Sequence, residues 1–466
     1  MKKTLVWRTA FVCTLLLTGQ HPATGQEAED FLDQSPFRVQ PSDPPQNGFA
    51  REFGSAVALD GDVLVVGAPQ EDSVDDPGVF NSGAVYVFER EGAYWIQRQR
   101  LTAPVEIGSQ QFGLAVGVAL GDAGVDYLIV GGPFAGGGAY IFKRMAGGMW
   151  EYDATLSQDD PQLGDRFGAS VAIDFFEPPD SQNGDKVFVA AVGAPSNRAP
   201  AGTGSQEGSV SVFQPAGSPP SWGGPQEFFG TNGDLVGSSL GMAGPNIVAG
   251  AFGLDGTGFN GGGALIFSAA NQQPSGVYKY NYSMMVQPSV PEVGVGQDLS
   301  VAAAYDPTIL GFAALGFPLS DESAFNAGIV LMFSLSPGPN LVTESAVLQP
   351  VGLGQGARFG ASVALSDRTL AVGAPGEGTD GTVFLYERGA SLASWDLVGT
   401  LTLPALPPVG PCSGGSSLAL GEATAVVGCP TSSSYQNEGT FVYSAGRIFA
   451  DFFMTGDDGA WTASVP

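Results

Sequence analysis

Histidine-dependent chemistry is excluded from almost the whole of this 466-residue sequence. Its single histidine, His21, lies in the first 25 residues, so the rest of the chain has no imidazole for a Ser-His-Asp triad, a Cys-His pair or a zinc site. Carboxylates are abundant, with 46 Asp and Glu residues, and two of them at a defined separation can cleave a glycosidic bond. Because the sequence does not set that separation, it predicts no catalytic residue.

Two cysteines, Cys412 and Cys429, lie beyond the first 25 residues. In an exported protein such a pair is more often a disulfide than a metal site. A hairpin that turns at Gly421-Glu422 would bring Gly414 opposite Cys429 and leave Cys412 just beyond it. The sequence therefore predicts a Cys412–Cys429 disulfide, which would stabilise a loop of this size by about 3 kcal/mol.

Acidic, aromatic and amide side chains recur in the polar segments between the apolar runs. A Phe-Asn pair precedes an apolar run three times, and Tyr435 begins a looser copy. Exposed rings beside amides suit stacking on sugar rings and hydrogen bonding to hydroxyls; alternatively, the ring covers a strand edge and the Asn makes a turn. The candidate ligand-binding residues are Glu71, Asp72, Asp75, Asp76, Phe80, Asn81, Phe259, Asn260, Asp321, Phe325, Asn326, Glu377, Asp380 and Tyr435.

The charge of the sequence is strongly acidic, with 18 basic and 46 acidic residues and a formal net charge of −28. The first 25 residues contain three of the basic ones, so the remainder has a charge of 15 − 46 = −31. Such a surface repels nucleic acid and anionic membranes, and it attracts cations or basic partners. The same charge also serves solubility, so both interpretations stay open, but we expect no nucleic-acid partner.

Residues 1–25 have the build of a secretory signal, with a basic start, an apolar core over residues 9–17 and a small-residue exit at Ala23-Thr24-Gly25. No later apolar run is as long as a membrane span. We therefore expect a secreted, extracellular protein without membrane insertion, in which residues 26–50 form a proline-rich tail.

A unit first seen at residues 53–88 organises the rest of the sequence. It has Phe-Gly before a first apolar run, Gly-Ala-Pro at the end of a second, and a third run that ends in an aromatic residue. Each run is short and bounded by Gly, Pro or Asp, as strands are, and residues 95–101 supply a fourth. There are seven copies, with the Gly of Phe-Gly or its equivalent at positions 54, 113, 168, 237, 298, 360 and 415.

Seven units of four short antiparallel strands predict an all-β protein, a seven-bladed β-propeller over residues 51–466, in which each blade covers its neighbour's apolar face. A flat array would leave long strand edges exposed, and ring closure avoids them. The outer strand of the last blade is expected from residues 449–453 or 461–464, or from residues 37–39 at the front of the chain.

The recurring Phe-Gly and Gly-Ala-Pro motifs resemble the FG-GAP repeat, the unit of the seven-bladed propeller at the head of integrin α subunits and of related secreted proteins. The resemblance implies that some blades hold Ca²⁺ in an Asp-x-Asp-x-Asp-Gly loop between their first and second strands. The third repeat has the longest loop at that position, with Asp180, Asn183 and Asp185 available. A Ca²⁺ site at these residues is one expectation, and an ordinary solvated hairpin loop is the other; no other cofactor is expected.

In a propeller, the loops from second to third strands and the links from one blade to the next emerge on one face, the usual recognition surface. The candidate ligand-binding residues fall on this face. We therefore expect a monomeric, non-enzymatic binding or adhesion protein that recognises a protein or glycan ligand. The alternatives are an extracellular lyase or hydrolase acting on polysaccharide, with carboxylates or Tyr and Arg in a cleft, and a structural surface component.

Overall fold

The computed structural model describes residues 36–42, 50–121, 124–136, 138–177, 186–199, 206–216, 221–231, 233–254, 261–272, 277–286, 299–305, 311–321, 323–335, 342–366, 368–389, 394–401, 403, 412–421, 424–431 and 438–444. The secondary structure of these residues consists of strands and turns, and no helix long and apolar enough to cross a membrane occurs among them. The signal expected at residues 1–25 lies outside the described part of the chain.

Seven four-stranded antiparallel sheets form the blades of an all-β propeller, as the repeat predicts. The first strand in the chain is β1 (Phe37–Val39). Blades 1 and 2 contain β2 (Val57–Asp60), β3 (Val63–Ala68), β4 (Ala84–Glu91) and β5 (Tyr94–Leu101), then β6 (Ala115–Leu120), β7 (Asp126–Gly131), β8 (Ala139–Arg144) and β9 (Trp150–Leu156). Blade 3 contains β10 (Ser170–Phe176), β11 (Val187–Ala194), β12 (Ser209–Phe213) and β15 (Gln226–Phe229), with the small hairpin β13 (Pro215–Ala216) and β14 (Ser221–Trp222) inserted before its last strand.

The remaining blades follow the same order. Blade 4 contains β16 (Val236–Ala243), β17 (Asn246–Ala251), β18 (Ala264–Gln272) and β19 (Tyr278–Val286), and blade 5 contains β20 (Ser300–Ala304), β21 (Phe312–Phe317), β22 (Ile329–Leu335) and β23 (Val342–Leu348). Blade 6 contains β24 (Ser362–Leu365), β25 (Thr369–Ala374), β26 (Thr382–Arg388) and β27 (Trp395–Leu401), and blade 7 contains β28 (Ser417–Gly421), β29 (Thr424–Cys429), β30 (Gly439–Ser444) and β1.

The second strand of each blade lies deepest in the molecule. In blades 1, 2 and 4 to 7 every residue of this strand is buried, and in blade 3 all but the first residue is. Neighbouring blades cover both faces of such a strand, which is why these segments read as continuous apolar runs rather than as an alternation. The outer strands β5, β9 and β27 instead each have two buried residues, a Trp near the start and a Leu at the end, and the residues between them are exposed or half-buried.

The phenylalanine of the Phe-Gly motif fills the space between blades. Phe112 is fully buried and belongs to a cluster that joins Val65 and Val85 of blade 1 to Val130 and Tyr140 of blade 2. Phe53 and Phe359 are fully buried in the corresponding clusters. Burying such a ring contributes roughly 1.5–3 kcal/mol each time, so the motif supplies the contact that holds one blade on the next.

The glycine of Gly-Ala-Pro is needed because adjacent blades approach there through backbone. A Cβ on Gly67 would lie 1.9 Å from the carbonyl oxygen of Gly113 in blade 2. A Cβ on Gly428 of blade 7 would lie 2.2 Å from the carbonyl oxygen of Gly54, so the same contact closes the ring between the last and first blades. No side chain fits at these distances.

The N-terminal strand closes the ring. β1 pairs antiparallel with β30, placing Phe37 opposite Val442 and Val39 opposite Thr440. Of the three segments expected as the outer strand of blade 7, residues 37–39 occupy that position. The other two, residues 449–453 and 461–464, lie outside the described residues.

A disulfide joins Cys412 to Cys429, with Cα atoms 5.4 Å apart, which confirms the predicted pairing. The hairpin that supports it turns one residue later than expected, because Gly421 pairs with Thr424 and Ser417 with Gly428. Cys429 is the last residue of β29, and Cys412 lies in the segment that enters blade 7. The bridge therefore fixes this entry segment to the buried second strand of the closing blade.

Candidate functional site

The loops between second and third strands and the links between blades meet on one surface. In blade 1 the Phe80 carbonyl accepts a hydrogen bond from Ser109 N at 2.7 Å, and the Ser82 carbonyl accepts one from Phe112 N at 2.9 Å. The Ser73 hydroxyl also donates to the Glu106 carboxylate across the same gap. We call this surface the loop face; it is formed by the described residues of segments 69–83, 102–114, 132–138, 157–169, 318–328, 349–361 and 375–381.

Two Phe-Asn pairs on the loop face adopt the same geometry in blades 1 and 5. Asn81 and Asn326 have left-handed backbone φ angles of 53° and 50°. The Asp72 carboxylate accepts Asn81 N at 2.8 Å, and the Asp321 carboxylate accepts Asn326 N at 2.6 Å. Each asparagine therefore makes a turn, as one of the two sequence interpretations held.

The adjoining phenylalanines do not cover a blade edge. Phe80 is 59% exposed and Phe325 is 60% exposed. Other large apolar side chains of the loop face are also exposed, among them Val74, Val105, Ile107, Leu163 and Val351. The alternative in which the ring covers a strand edge is therefore wrong for these two residues, and their phenyl rings face solvent.

The remaining predicted carboxylates have different surroundings. Asp75 and Asp76 are exposed at the tip of the blade 1 loop. Glu377 accepts Gly354 N at 3.0 Å and so ties the blade 6 loop to the preceding link, while the Asp380 backbone carbonyl accepts Gly414 N at 2.9 Å. Asp76 Oδ1 accepts the backbone N of Gly78 at 3.0 Å within the same loop, so part of this carboxylate serves the local turn.

Glu71 is buried rather than presented on the surface, with 6% of its area exposed. Its carboxylate accepts Tyr86 Oη at 2.7 Å and Arg100 Nε at 2.8 Å, and it lies 3.7 Å from Arg51 Nη1. Arg51 also pairs with Glu438 of blade 7 at 3.2 Å. Glu71 therefore belongs to an ionic network at the junction of the first and last blades, and its oxygens are occupied.

Glu438 anchors that network from the other side. It is 1% exposed, and its Oε2 accepts the backbone N of Arg51 at 2.9 Å and of Phe53 at 3.2 Å. Burial raises the pKa of Glu438 to about 6, against the lowering effect of these N–H donors and of the Arg51 charge. The desolvation of the carboxylate thus outweighs its partners.

The Ca²⁺ expectation falls outside the described part of the chain, because Asp180, Asn183 and Asp185 belong to residues 178–185. Phe259, Asn260 and Tyr435 are likewise outside it. Within the described ranges, no group of three or more His, Cys, Asp or Glu side chains could hold a metal ion. Asp174, an acidic residue that precedes Asp180 in the third repeat, lies inside β10, which extends to Phe176.

A cleft of about 520 Å³ opens on the loop face between blades 2 and 3. Blade 1 shows why it is there. In blade 1 Arg100 lies opposite Tyr86 on the paired strands, and Arg100 and Glu71 together fill the space beside the tyrosine. In blade 2 the equivalent tyrosine, Tyr140, lies opposite Thr155, a much shorter side chain.

The loop of blade 2 is also short. Seven residues, 132–138, join β7 to β8, whereas fifteen residues, 69–83, join β3 to β4. The blade 2 loop therefore has no counterpart of Glu71. The missing loop and the small Thr155 side chain together leave the space that forms the cleft.

Polar groups converge on the cleft from the link between blades 2 and 3. Gln158 Nε2 donates to the Asp165 carboxylate and to the Asp160 carbonyl, but its buried Oε1 has no partner among the described residues. Asp165 Oδ2 also accepts Gln162 N at 2.7 Å. Tyr140 accepts Gln110 Nε2 at 2.6 Å through its hydroxyl oxygen, which leaves its own proton free to donate. Burial raises the pKa of this hydroxyl, so it stays protonated at neutral pH.

One wall of the cleft is apolar and partly covered by a cation. The Arg166 guanidinium stands 5.3 Å from the centroid of the Phe134 ring, and Pro133, Leu156 and Leu163 complete the lining. No sequence motif marks Tyr140, Thr155 or Gln158 as a candidate site residue. The available signal was a comparison between repeats, which shows the shortened loop and the exchange of Arg100 for Thr155.

Comparison with protein families agrees with the repeat architecture. Residues 48–88 and 342–386 match the family model of the FG-GAP repeat. No curated protein matches the chain. Among solved structures, the chain is similar to one described as a putative 6-phosphogluconolactonase from Bacteroides uniformis, at 14% identity and a TM-score of 0.45, over 75% of this chain and 85% of that one. A likeness of this degree gives no indication of activity.

Proposed function

The chain is an FG-GAP repeat β-propeller, and on that premise we propose that it is a non-enzymatic binding protein that recognises an extracellular protein or glycan through its loop face. The proposal includes a monomeric state and a secreted location, and the disulfide between Cys412 and Cys429 supports the secreted location.

The observation that carries the proposal is the pair of exposed phenylalanines. Phe80 and Phe325 occupy equivalent positions in blades 1 and 5, and in both blades an Asp-Asn turn fixes the backbone beside the ring. The turn itself requires only the Asp and the Asn. More than half of each phenylalanine is exposed, and an aromatic side chain that a ligand covers supplies a large contact area at a low entropic cost.

The surroundings of the rings favour a ligand that is not acidic. Asp72, Asp75, Asp76 and Glu106 lie within the segments next to Phe80, and the whole chain has a formal net charge of −28. Like charges across an interface are unfavourable, so nucleic acid and polyanionic glycans are disfavoured. Neutral glycans and neutral or basic protein segments are the ligand classes that remain.

A retention assay tests the proposal. Purified protein is applied to arrays of glycans and extracellular-matrix proteins, beside the double variant Phe80→Ser/Phe325→Ser. We expect the wild type to be retained on at least one ligand and the variant to lose retention by about tenfold or more, the typical consequence of removing a central aromatic contact. The matched control, Val347→Ser/Leu397→Ser, removes two equally exposed side chains from outer strands and should bind like the wild type.

Three results would contradict the proposal. The first is the absence of retention on every ligand by a folded protein. The second is the release of reducing ends or unsaturated sugars that depends on a loop carboxylate, which would indicate a polysaccharide-acting enzyme. The third is ordered self-assembly without a ligand, which would indicate a structural component.

A further inference from the structure

We propose that the cleft between blades 2 and 3 binds a neutral sugar unit, with its hydroxyl groups directed to Gln158, Asp165 and Tyr140 and its apolar face against the wall near Phe134. This inference rests on the proposed binding function and names a ligand class for one part of the loop face. The volume of about 520 Å³ lies within the range of roughly 300–1,000 Å³ that is usual for small-ligand sites.

The cleft is a departure from the repeat and not a feature that the propeller needs. The position of Gln158, two residues after the last residue of the outer strand, holds Ala103 in the link to blade 2. The position of Asp165, two residues before the motif phenylalanine, holds Gln110 there. In the link to blade 6 the same two positions hold Pro350 and Ala357. The Gln-Asp pair is thus found at this junction and not at these other two, so blade packing does not explain it.

The unpartnered oxygen of Gln158 indicates a ligand that donates hydrogen bonds. Gln158 is 4% exposed, and its Oε1 receives no hydrogen bond from the described residues. Leaving a buried acceptor unsatisfied costs about 1–3 kcal/mol. The amide cannot simply be turned over, because its Nε2 is held by the Asp165 carboxylate and the Asp160 carbonyl. Because this oxygen is inaccessible to solvent, a donor in the cleft reaches it when the Gln158 side chain shifts toward the cleft, and the new hydrogen bond would then recover this energy.

The other polar groups offer both donors and acceptors. Asp165 uses Oδ2 for its two hydrogen bonds and leaves Oδ1 available, while Tyr140 has a free proton to donate. Thr155 shares its hydroxyl with Tyr152 at 2.9 Å, where either oxygen can be the donor. A hydroxyl group both donates and accepts, so a polyhydroxyl ligand matches this mixture better than an amine or a carboxylate does.

The charges around the cleft disfavour an anionic ligand. An anion would meet Asp165, which lines the cleft, and Asp159 and Asp160 belong to the same link between blades. The Arg166 guanidinium stands over the Phe134 ring and offsets only part of this negative charge. The C–H groups of a sugar ring suit the remaining wall, where Leu163 is 89% exposed and has nothing packed on it from solvent.

Saturation-transfer NMR and calorimetry with the full-length protein test the inference. The probes are neutral trisaccharides of glucose, galactose, mannose and xylose, with glucosamine and glucuronic acid as charged counterparts. The variant Thr155→Arg places the blade 1 residue in the cleft and should weaken binding of the preferred trisaccharide by about tenfold or more. Leu163→Asn alters only the exposed rim, so it preserves the fold and should weaken binding about threefold.

The control Met149→Arg adds the same charge on an exposed side chain of the opposite face and should bind like the wild type. Absence of binding by every neutral probe, equal binding by Thr155→Arg, or binding of a charged probe tenfold more strongly than the neutral ones would overturn the inference. Such a failure is distinguishable from failure of the proposed function, because retention that depends on Phe80 and Phe325 would persist.

Discussion

Two carboxyl groups, those of Asp174 and Glu438, should make the folded protein more stable at pH 5 than at pH 8. Burial raises the pKa of Asp174 to about 6 from its ordinary 3.8, although its oxygens accept Phe175 N at 2.7 Å and Gly244 N at 3.1 Å. The charge of Asp60 also raises this pKa, and Lys186 lowers it. Burial raises the pKa of Glu438 to about 6 from 4.5.

The sign follows from proton binding. Between the unfolded and folded pKa values, the folded protein binds more protons than the unfolded chain, so stability rises as the pH falls through 6 and the gain is complete below the unfolded pKa. In the folded protein each group is ionised at pH 8 and largely protonated at pH 5, and each should add about 1 kcal/mol to the free energy of unfolding over that interval. Together the two groups should add about 2 kcal/mol.

The assay is urea unfolding at both pH values for the wild type, Asp174→Asn, Glu438→Gln and the double variant. Each single substitution should remove a similar part of the pH-dependent gain, and the double variant should remove most of it, whatever its stability at one pH. Burial also raises the pKa values of Glu52, Asp60 and Glu227, which supply the remainder. Asp75→Asn, which changes an exposed loop carboxylate, is the matched control and should keep the full gain. A wild type that is equally stable at both pH values, or variants whose gain equals that of the wild type, would contradict a role for these two carboxyl groups in the pH dependence.

Three further predictions concern stability and share the same urea assay. Gly67→Ala should destabilise the protein by about 3 kcal/mol or more, because the backbone of the next blade must move from 1.9 Å to an ordinary contact distance. The control Gly147→Ala adds a Cβ with nothing within 4 Å and should stay within about 0.5 kcal/mol of the wild type. Equal losses for the two variants would contradict the packing argument. Replacing both Cys412 and Cys429 by Ser should lower the free energy of unfolding by about 3 kcal/mol and should make the protein insensitive to reductant, so a wild type that reductant does not affect would count against the disulfide. Val39→Ala should cost about 2 kcal/mol because β1 is packed in the closing seam, and a loss below about 0.5 kcal/mol would show that β1 is dispensable.

The fold could be predicted from the sequence because its causes are local and repeated. The apolar runs mark the second strands, and the glycines of the motif mark the backbone approach between blades, as at Gly67. The strand that closes the ring could not be chosen in the same way. Residues 37–39 and the candidate segments near the C-terminus are all short and apolar, and what distinguishes them is a pairing with β30 that no local pattern encodes.

The candidate site was only partly predictable. The exposed position of Phe80 and the turn at Asn81 follow from a loop pattern, but Glu71, three residues beyond a strand in the same loop, points inward because Arg51 and Arg100 reach it from other segments. The cleft was harder still to predict, because it forms where a loop and a side chain are smaller than in blade 1. It depends on Thr155 being small and on a loop eight residues shorter than that of blade 1, and no single motif records either fact.

The pairing of β1 with β30 has a consequence for the timing of synthesis. Phe37 and its partner Val442 are 405 residues apart, so at about 5–20 residues per second the ribosome makes the partner roughly 20–80 s after the first strand. For all of that interval the nascent chain carries the closing strand without its neighbour, although blades 1 to 6 can already stack in order. The shortness of β1, three residues, gives other chains little edge to capture during this wait.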